Sequence, residues 1–444
     1  MAAPPPPPGS GRRFLRGPPD DPDDRSVEYA DWDDHPAPRP PEPDTGLHRN
    51  VWVASVTSFL TDVSSEMLQN VLPLFLANVL GVRTWAVGVV EGLAESTASL
   101  LKLWSGWLSD RLGARKWLAV SGYGISASSK PFYLVAASWP VVAAIRWADR
   151  VGKGVRTAPR DALLADSVNR SRRGLAFGIH RASDTAGAVV GIAASLAIVH
   201  AAQGGALLLE HGTFHHLVLW SLLPAFLAVL TLAMGAKDVP VKGGERRGPK
   251  VTLRGMSRSF RGFVLASAIF QIGNSSDAFL ILRAQERGLG VLGLLWMLLL
   301  FNVVYTAVSA PAGSLADRVP RKWVVLGAWC VYALVYLGFA LARTTTHVVV
   351  LFAVYGVYMG AVAGASKALV ADLVEPERRG TAYGTYHAVI GLMSLPASLL
   401  AGLLWQGFAG WAGLGPAAPF AFGAAAAGVA SLVLLATVPS RGSA

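Results

Sequence analysis

Five cations recur every three or four residues along one stretch: Arg146, Arg150, Lys153, Arg156 and Arg160. On a helix turning about 100° per residue they fall within an arc of roughly 120°, and Asp149 and Asp161 flank them. Such a row can bind carboxylate or phosphate, bidentately through Arg. It can also pair with buried carboxylates that exchange a cation for a proton. The stretch that carries it, Pro140 to Asp166, is otherwise long and apolar enough to cross a bilayer. Each cation at the bilayer centre costs about 2.5–3.5 kcal/mol, so the row sums to something of order 15 kcal/mol. No lipid-facing helix tolerates that, so the stripe must look into protein or water and meet anions.

The anions lie on other apolar segments. Asp62, Glu66 and Gln69, at spacings of four and three, share one helical face with Ser55. Glu91, Glu95 and Lys102 share a face of the next segment, and His180, Arg181 and Asp184 lie together further on. The second half offers Gln271, Asn274, Asp277 and Lys367, and an aromatic lining of Tyr305, Tyr355, Tyr358, Tyr383 and Tyr386. In the first half the carboxylates Asp62, Glu66, Glu91, Glu95, Asp149, Asp161 and Asp184 nearly balance Lys102, Lys130, Arg146, Arg150, Lys153, Arg156, Arg160 and Arg181. Near-balance argues for a paired network, since unpaired buried charge is heavily penalised. For Lys102, Asp149, Arg156, Arg160 and Asp161 the expected role is to hold helices together. Glu66 or Asp62 is expected to carry a coupling proton, with Arg150 or Lys153 as its resting partner and Asp277 in reserve.

The rest of the chain must position these groups inside a membrane. It has 444 residues, 52% hydrophobic and 15% charged, against about 25% charged in a soluble domain. One cysteine, Cys330, excludes a disulfide framework and a multi-cysteine metal site. The net charge of +11 does not point to nucleic acid, because the basic residues collect in short loops between apolar segments. Gly152-Lys153-Gly154 lacks the glycine spacing and the following Ser/Thr of a phosphate loop. His180 reads as a packed histidine in place of a metal ligand, and no cofactor is expected.

Residues 1–47 form a Pro-rich tail that reads as disordered and carries no cleavable signal. Twelve spans follow, near 50–77, 85–109, 116–137, 140–166, 173–200, 215–235, 261–283, 290–314, 322–341, 347–373, 381–406 and 415–438. They divide into bundles of six over 48–235 and 261–438, separated by a basic link 236–260 and followed by a short tail 439–444. Lys and Arg crowd the loops after even-numbered spans and nearly vanish from the others, which places both termini on the cytoplasmic side of a plasma or inner membrane.

The halves repeat. Gly106-Trp-Leu-Ser-Asp110-Arg111-Leu-Gly-Ala-Arg115-Lys116-Trp117 returns as Gly313-Ser-Leu-Ala-Asp317-Arg318-Val-Pro-Arg321-Lys322-Trp323. Ala162-Leu-Leu-Ala-Asp166 returns as Ala368-Leu-Val-Ala-Asp372, and Arg173-Gly-Leu-Ala-Phe-Gly178 as Arg379-Gly-Thr-Ala-Tyr-Gly384, all at nearly one offset. Parallel six-helix repeats are a transporter architecture.

On these motifs the chain resembles the major facilitator superfamily over residues 50–438. The resemblance implies an all-α integral membrane fold: twelve transmembrane helices in two pseudo-symmetric six-helix bundles, with spans 1, 4, 7 and 10 around a central cavity. It also implies that Asp110, Arg111 and Arg115, echoed by Asp317 and Arg318, latch the two halves on the cytoplasmic side. The span 5 antiporter signature is met at Gly187 and Gly191, but Ile192 stands where it carries proline. These glycines and Gly178 read as points of close helix approach. The string Asp149 to Asp161, with Ser58-Phe-Leu-Thr-Asp62-Val-Ser-Ser-Glu66 in span 1, resembles a bacterial and archaeal subfamily of permeases without an agreed substrate.

The expected function is therefore a monomeric secondary active transporter in the lipid bilayer that moves a small solute by alternating access, coupled to protons or another ion. Export of a metabolite or amphiphilic drug is the first expectation and uptake of an organic anion the second. A transport-inactive receptor or scaffold is the rival class, and no nucleophile–base or metal-ligand set marks an enzyme.

Overall fold

The computed structural model describes residues 48–169, 172–238, 251–375 and 378–439. The expected disordered tail, most of the basic link and residues 440–444 lie outside the described residues. The rest is nearly all helix: α1 (Arg49–Gln69), α2 (Thr84–Leu112), α3 (Arg115–Ser129), α4 (Trp139–Asp166), α5 (Arg173–Gln203), α6 (His211–Gly235), α7a (Arg258–Gly273) with its continuation α7b (Ala278–Glu286), α8 (Val291–Arg318), α9 (Arg321–Leu341), α10 (Thr345–Asp372), α11 (Arg379–Gln406) and α12 (Ala418–Thr437). These match the twelve expected spans to within a few residues. Among the described residues, α5 to α12 are long and apolar enough to cross a membrane. The charges of α1 to α4 make them more polar. At 21, 29 and 28 residues α1, α2 and α4 still have spanning length.

Three helices depart from the regular ladder. Beyond Asn70, α1 gives way to a short turn Leu72–Leu74 with Pro73 at its start, then a π-turn Phe75–Val79. At its end α3 tightens into a 3₁₀ segment, Lys130–Val135, begun by Pro131. The seventh span is unwound over residues 274–277 between α7a and α7b.

Packing repeats between the halves. In the first, α1 lies on α5 and α6, α2 on α4, and α3 on α4 and α6; in the second, α7a lies on α11 and α12, α8 on α10, and α9 on α10 and α12. The halves meet along two related seams, α2 with α11 and α5 with α8. Lipid gives apolar helices little reason to associate, so close approach of small residues carries the contact. At the α2–α11 seam a Cβ on Gly88 would fall 2.2 Å from the Ser398 carbonyl oxygen, and one on Gly402 would fall 2.5 Å from that of Thr84. Gly187 and Gly191 bring α5 onto α1 in the same way, as expected, whereas Gly178 faces open space. Its short spacing from other glycines is therefore not a packing signal.

The end of the molecule remote from the basic loops is tied across the halves. The Thr84 amide donates to Gln406 Oε1 (2.8 Å), the Thr84 hydroxyl to the Gly402 carbonyl (3.0 Å), and the Trp85 and Phe408 rings meet edge to face at 5.2 Å. Leu207 covers Gly290 beside the second seam.

Candidate functional site

Between the halves lies a cavity of about 400 Å³, within the usual size of a small-molecule site. The first half contributes Gln69, Asn70 and Pro73 from the end of α1, Glu91, Glu95 and Ser99 from α2, and Arg146, Arg150 and Lys153 from α4. The second contributes Gln271 and residues 274–278 around the break in the seventh span, Ile281, Tyr355 and Met359 from α10, and Ile390, Ser394 and Ser398 from α11. The unwound segment thus brings Asn274, Ser275, Ser276 and Asp277 to the wall together. Discontinuous helices at a midplane cavity are a recurring transporter device.

The charges fall into three kinds. Arg146 and Glu91 form a bidentate pair, Nε to Oε1 at 3.2 Å and Nη2 to Oε2 at 3.0 Å, with both side chains almost wholly buried. Asp149 stands 3.8 Å from the same guanidinium. Arg150 Nη2 lies 3.3 Å from Glu95 Oε1, and Glu95 is half exposed to the cavity. The same nitrogen donates to Gln69 Oε1 (3.3 Å), while Gln69 Nε2 donates to Glu66. Glu66 also accepts from Asn70 Nδ2 (2.8 Å). Gln69 is therefore a bridge between Glu66 and Arg150, which do not touch directly. The third kind has no charged partner: among the described residues no carboxylate is within 4 Å of Lys153 and no cation within 4 Å of Asp277, whose Oδ1 accepts from the Tyr355 hydroxyl at 2.8 Å.

Glu91, Glu95, Arg146, Arg150, Lys153 and Asp277 thus come together at one wall or its opposite. Asp62 and Glu66 do not line the cavity; Glu66 sits behind Gln69 and Asn70. The partner of Arg150 is Glu95, in place of the Glu66 or Asp62 expected from spacing. Of the expected tyrosines, Tyr355 alone reaches the wall. Tyr358 is packed among Phe270, Tyr332 and Tyr355, Tyr386 stacks on Phe263, Tyr383 donates to the Lys367 carbonyl, and Tyr305 receives Arg181. Tyrosine spacing does not distinguish an aromatic core from a lining. The serines of α2 and α11 at the wall, Ser99, Ser394 and Ser398, had a faint signal: small polar residues in otherwise apolar helices.

Of the charges expected to hold helices together, Arg156 and Arg160 reach neighbouring helices, Asp149 and Asp161 find their charged partners on α4 itself, and Lys102 is exposed. Arg160 holds Asp161 through Nε (3.0 Å) and Nη2 (2.8 Å) and reaches Ser58 Oγ at 3.0 Å. The Arg156 guanidinium lies 4.4 Å from the Tyr123 ring centroid. His180 is buried between Ser58 Oγ (2.9 Å) and Asp184 (3.5 Å). Buried Lys130 is met by the hydroxyls of Ser64 and Ser65.

At the basic end, Arg115 contacts Asp110 (3.3 Å) and Asp166, and donates to the Ala162 carbonyl (2.9 Å). Arg321 repeats this with Asp372 and the Ala368 carbonyl. The equivalent atoms are those the internal repeat aligned. Both clusters join helices of one half; the expected latch between halves is not what these contacts form. Arg111 lies 5.4 Å from the Trp107 ring, Arg318 is exposed, and the Asp317 side chain lies outside the described residues.

The model of the Major Facilitator Superfamily matches residues 54–294 and 262–444. An uncharacterized MFS-type transporter of Methanocaldococcus jannaschii is 35% identical over 400 residues, covering 89% of this chain and 96% of its own. An uncharacterized protein of Mycobacterium tuberculosis is 29% identical over 367 residues, 81% of this chain and 87% of its own. Among solved structures, a mutant of the nucleoside transporter NupG superposes with a TM-score of 0.74 at 13% identity, over 88% of this chain and 100% of that one. A D-xylose-proton symporter does so at 0.67 and 14%, over 88% and 98%.

Proposed function

This chain belongs to the major facilitator superfamily, and we propose that it carries a small hydrophilic solute across the plasma membrane by alternating access, coupled to protons. The observation that carries this reading is the cavity wall. Three carboxylates, three cations, four carboxamides and a series of hydroxyls converge where the seventh span is unwound. Its apolar part is confined to Pro73, Ala278, Ile281, Met359 and Ile390, which favours a polar metabolite over an amphiphilic drug. A simple organic anion is less well matched, because Glu91 and Glu95 already neutralise Arg146 and Arg150.

The Lys/Arg bias puts the basic loops and both termini in the cytoplasm. The tied end is then external and the cavity is reached from the cytoplasm, a state from which an exporter loads and an importer releases. Glu66 is the coupling carboxylate, linked through Gln69 to the Arg150–Glu95 pair at the cavity wall, so that its protonation loosens the hold on Arg150. Asp62, on the same face of α1, is the second proton acceptor and Asp277 the reserve. Arg115 with Asp110 and Asp166 braces the cytoplasmic end of the first half, and Arg321 with Asp372 that of the second, as the halves rock.

The test is reconstitution of the purified protein into liposomes that enclose a pH-sensitive dye. Sugars, polyols, amino acids and organic acids are then offered under an imposed pH gradient. Solute-dependent proton movement is expected, and Glu66→Gln should abolish it while solute exchange without a gradient persists. Proton movement unchanged in Glu66→Gln would move coupling to Asp62, Glu95 or Asp277. No solute-dependent flux of any kind would overturn the transporter reading.

A further inference from the structure

Resting on that reading, we infer that the solute is a zwitterion whose anionic group is held by Lys153 and whose cationic group is held by Asp277. Two facing walls each present one charged group without an opposite partner. On the first-half wall Arg146 and Arg150 are met by Glu91 and Glu95, with Asp149 also 3.8 Å from Arg146, and Lys153 is left over. On the second-half wall Asp277 is the charged group among the described lining residues. Lys153 and Asp277 are both exposed, and among the described residues neither has an opposite charge within 4 Å.

Each is built to be met by something. Asp277 stands at the N-terminus of α7b, and the Tyr355 hydroxyl fixes Oδ1 while among the described residues no donor meets the other oxygen. Lys153 projects from the same face of α4 as Arg146 and Arg150, but Glu91 and Glu95 pair with those arginines and no carboxylate among the described residues comes within 4 Å of Lys153. When the halves close and water leaves, an unmatched charge becomes expensive. A neutral sugar would leave two such charges, and a simple anion or a simple amine would leave one. A molecule with one anionic and one cationic end leaves none. Amino acids, betaines and phosphorylated amines share this chemistry. The carboxamides of Gln271 and Asn274 beside Asp277 are suited to bonding the polar groups between the ends.

The experiment is thermal stabilisation of the purified protein by a matched set of probes. Amino acids with carbon spacers of increasing length are each compared with the corresponding carboxylate, amine and alcohol. Stabilisation by zwitterions is expected to exceed that by any partner compound, with a preferred spacer length. Lys153→Gln and Asp277→Asn should each weaken zwitterion binding about 10- to 100-fold, the loss of one charge-assisted contact. The former should spare binding of the matching amine and the latter that of the matching carboxylate. Both replacements are near-isosteric and break no ion pair, so the ligand-free melting temperature should stay near that of the parent. Three results overturn the inference. A drop in ligand-free stability in each single variant, restored in the double, would mean that Lys153 and Asp277 pair with each other. Stabilisation by alcohols or sugars indifferent to both substitutions would keep the hydrophilic-solute reading and remove the zwitterion. No stabilisation by any probe would count against both.

Discussion

Replacing Glu91 with Gln tests how the cation stripe is tolerated. Glu91 and Arg146 form two charge-assisted hydrogen bonds, and their side chains are 5% and 7% exposed. Removing one charge from a buried pair costs about 3–5 kcal/mol, because the other is left uncompensated. Asp149, 3.8 Å from the same guanidinium, takes up part of that charge, so the loss belongs at the lower end, ~3 kcal/mol. Glu95→Gln removes the same charge from Arg150, but the Glu95 side chain is 44% exposed and screened by solvent. Its loss should be at most ~1 kcal/mol. The double replacement Glu91→Leu with Arg146→Met removes the whole pair but leaves Asp149 without Arg146, and should recover only part of the loss, ~1 kcal/mol. Chemical denaturation in detergent micelles, followed by tryptophan fluorescence, reads all three. Equal losses for Glu91→Gln and Glu95→Gln, or a double variant as unstable as Glu91→Gln, would refute the reasoning that burial and pairing set the cost.

The basic-end clusters give a second contrast. Arg115→Gln, with its side chain 9% exposed, should cost ~2 kcal/mol. Arg321→Gln, at 30% exposed, should cost less than ~1 kcal/mol in the same denaturation assay. Asn50 is fully buried, donating to Ser167 Oγ and the Lys237 carbonyl at 2.8 Å and accepting from the Lys237 amide at 2.9 Å. Asn50→Leu should destabilise by ~2–3 kcal/mol and raise hydrogen exchange first at the ends of α4 and α6.

The twelve helices and their grouping were legible because a spanning helix must satisfy its backbone internally over a fixed length. The offset between halves was legible because Asp110, Arg115 and Asp166 recur as a set. The membership of the stripe was legible too, since only a protein-facing surface admits so many cations. Which acid meets which arginine was not. Glu66 and Glu95 are equally plausible partners for Arg150 by spacing, and the choice rests on how α1 and α2 are rotated against α4. Nor was the break after Gly273 legible: no proline interrupts residues 271–278, and the unwinding is favoured by packing against α11, where the Ser276 amide donates to Ser398 Oγ. The role of Gln69 was hidden for a related reason, since a bridging amide has no charge to betray it.

The α2–α11 seam also sets how readily the molecule changes state. Gly88, Gly92 and Gly402 put backbone against backbone, so that few long side chains need to be withdrawn when the surfaces part. Such a joint behaves as a plain bearing, in which neighbouring arrangements differ by little energy and a solute or a proton can tip the population. It is also a place where a single added methyl acts as a wedge. A side chain at Gly88 or Gly402 penalises the tied arrangement, so the balance between conformers can be reset without touching any cavity residue.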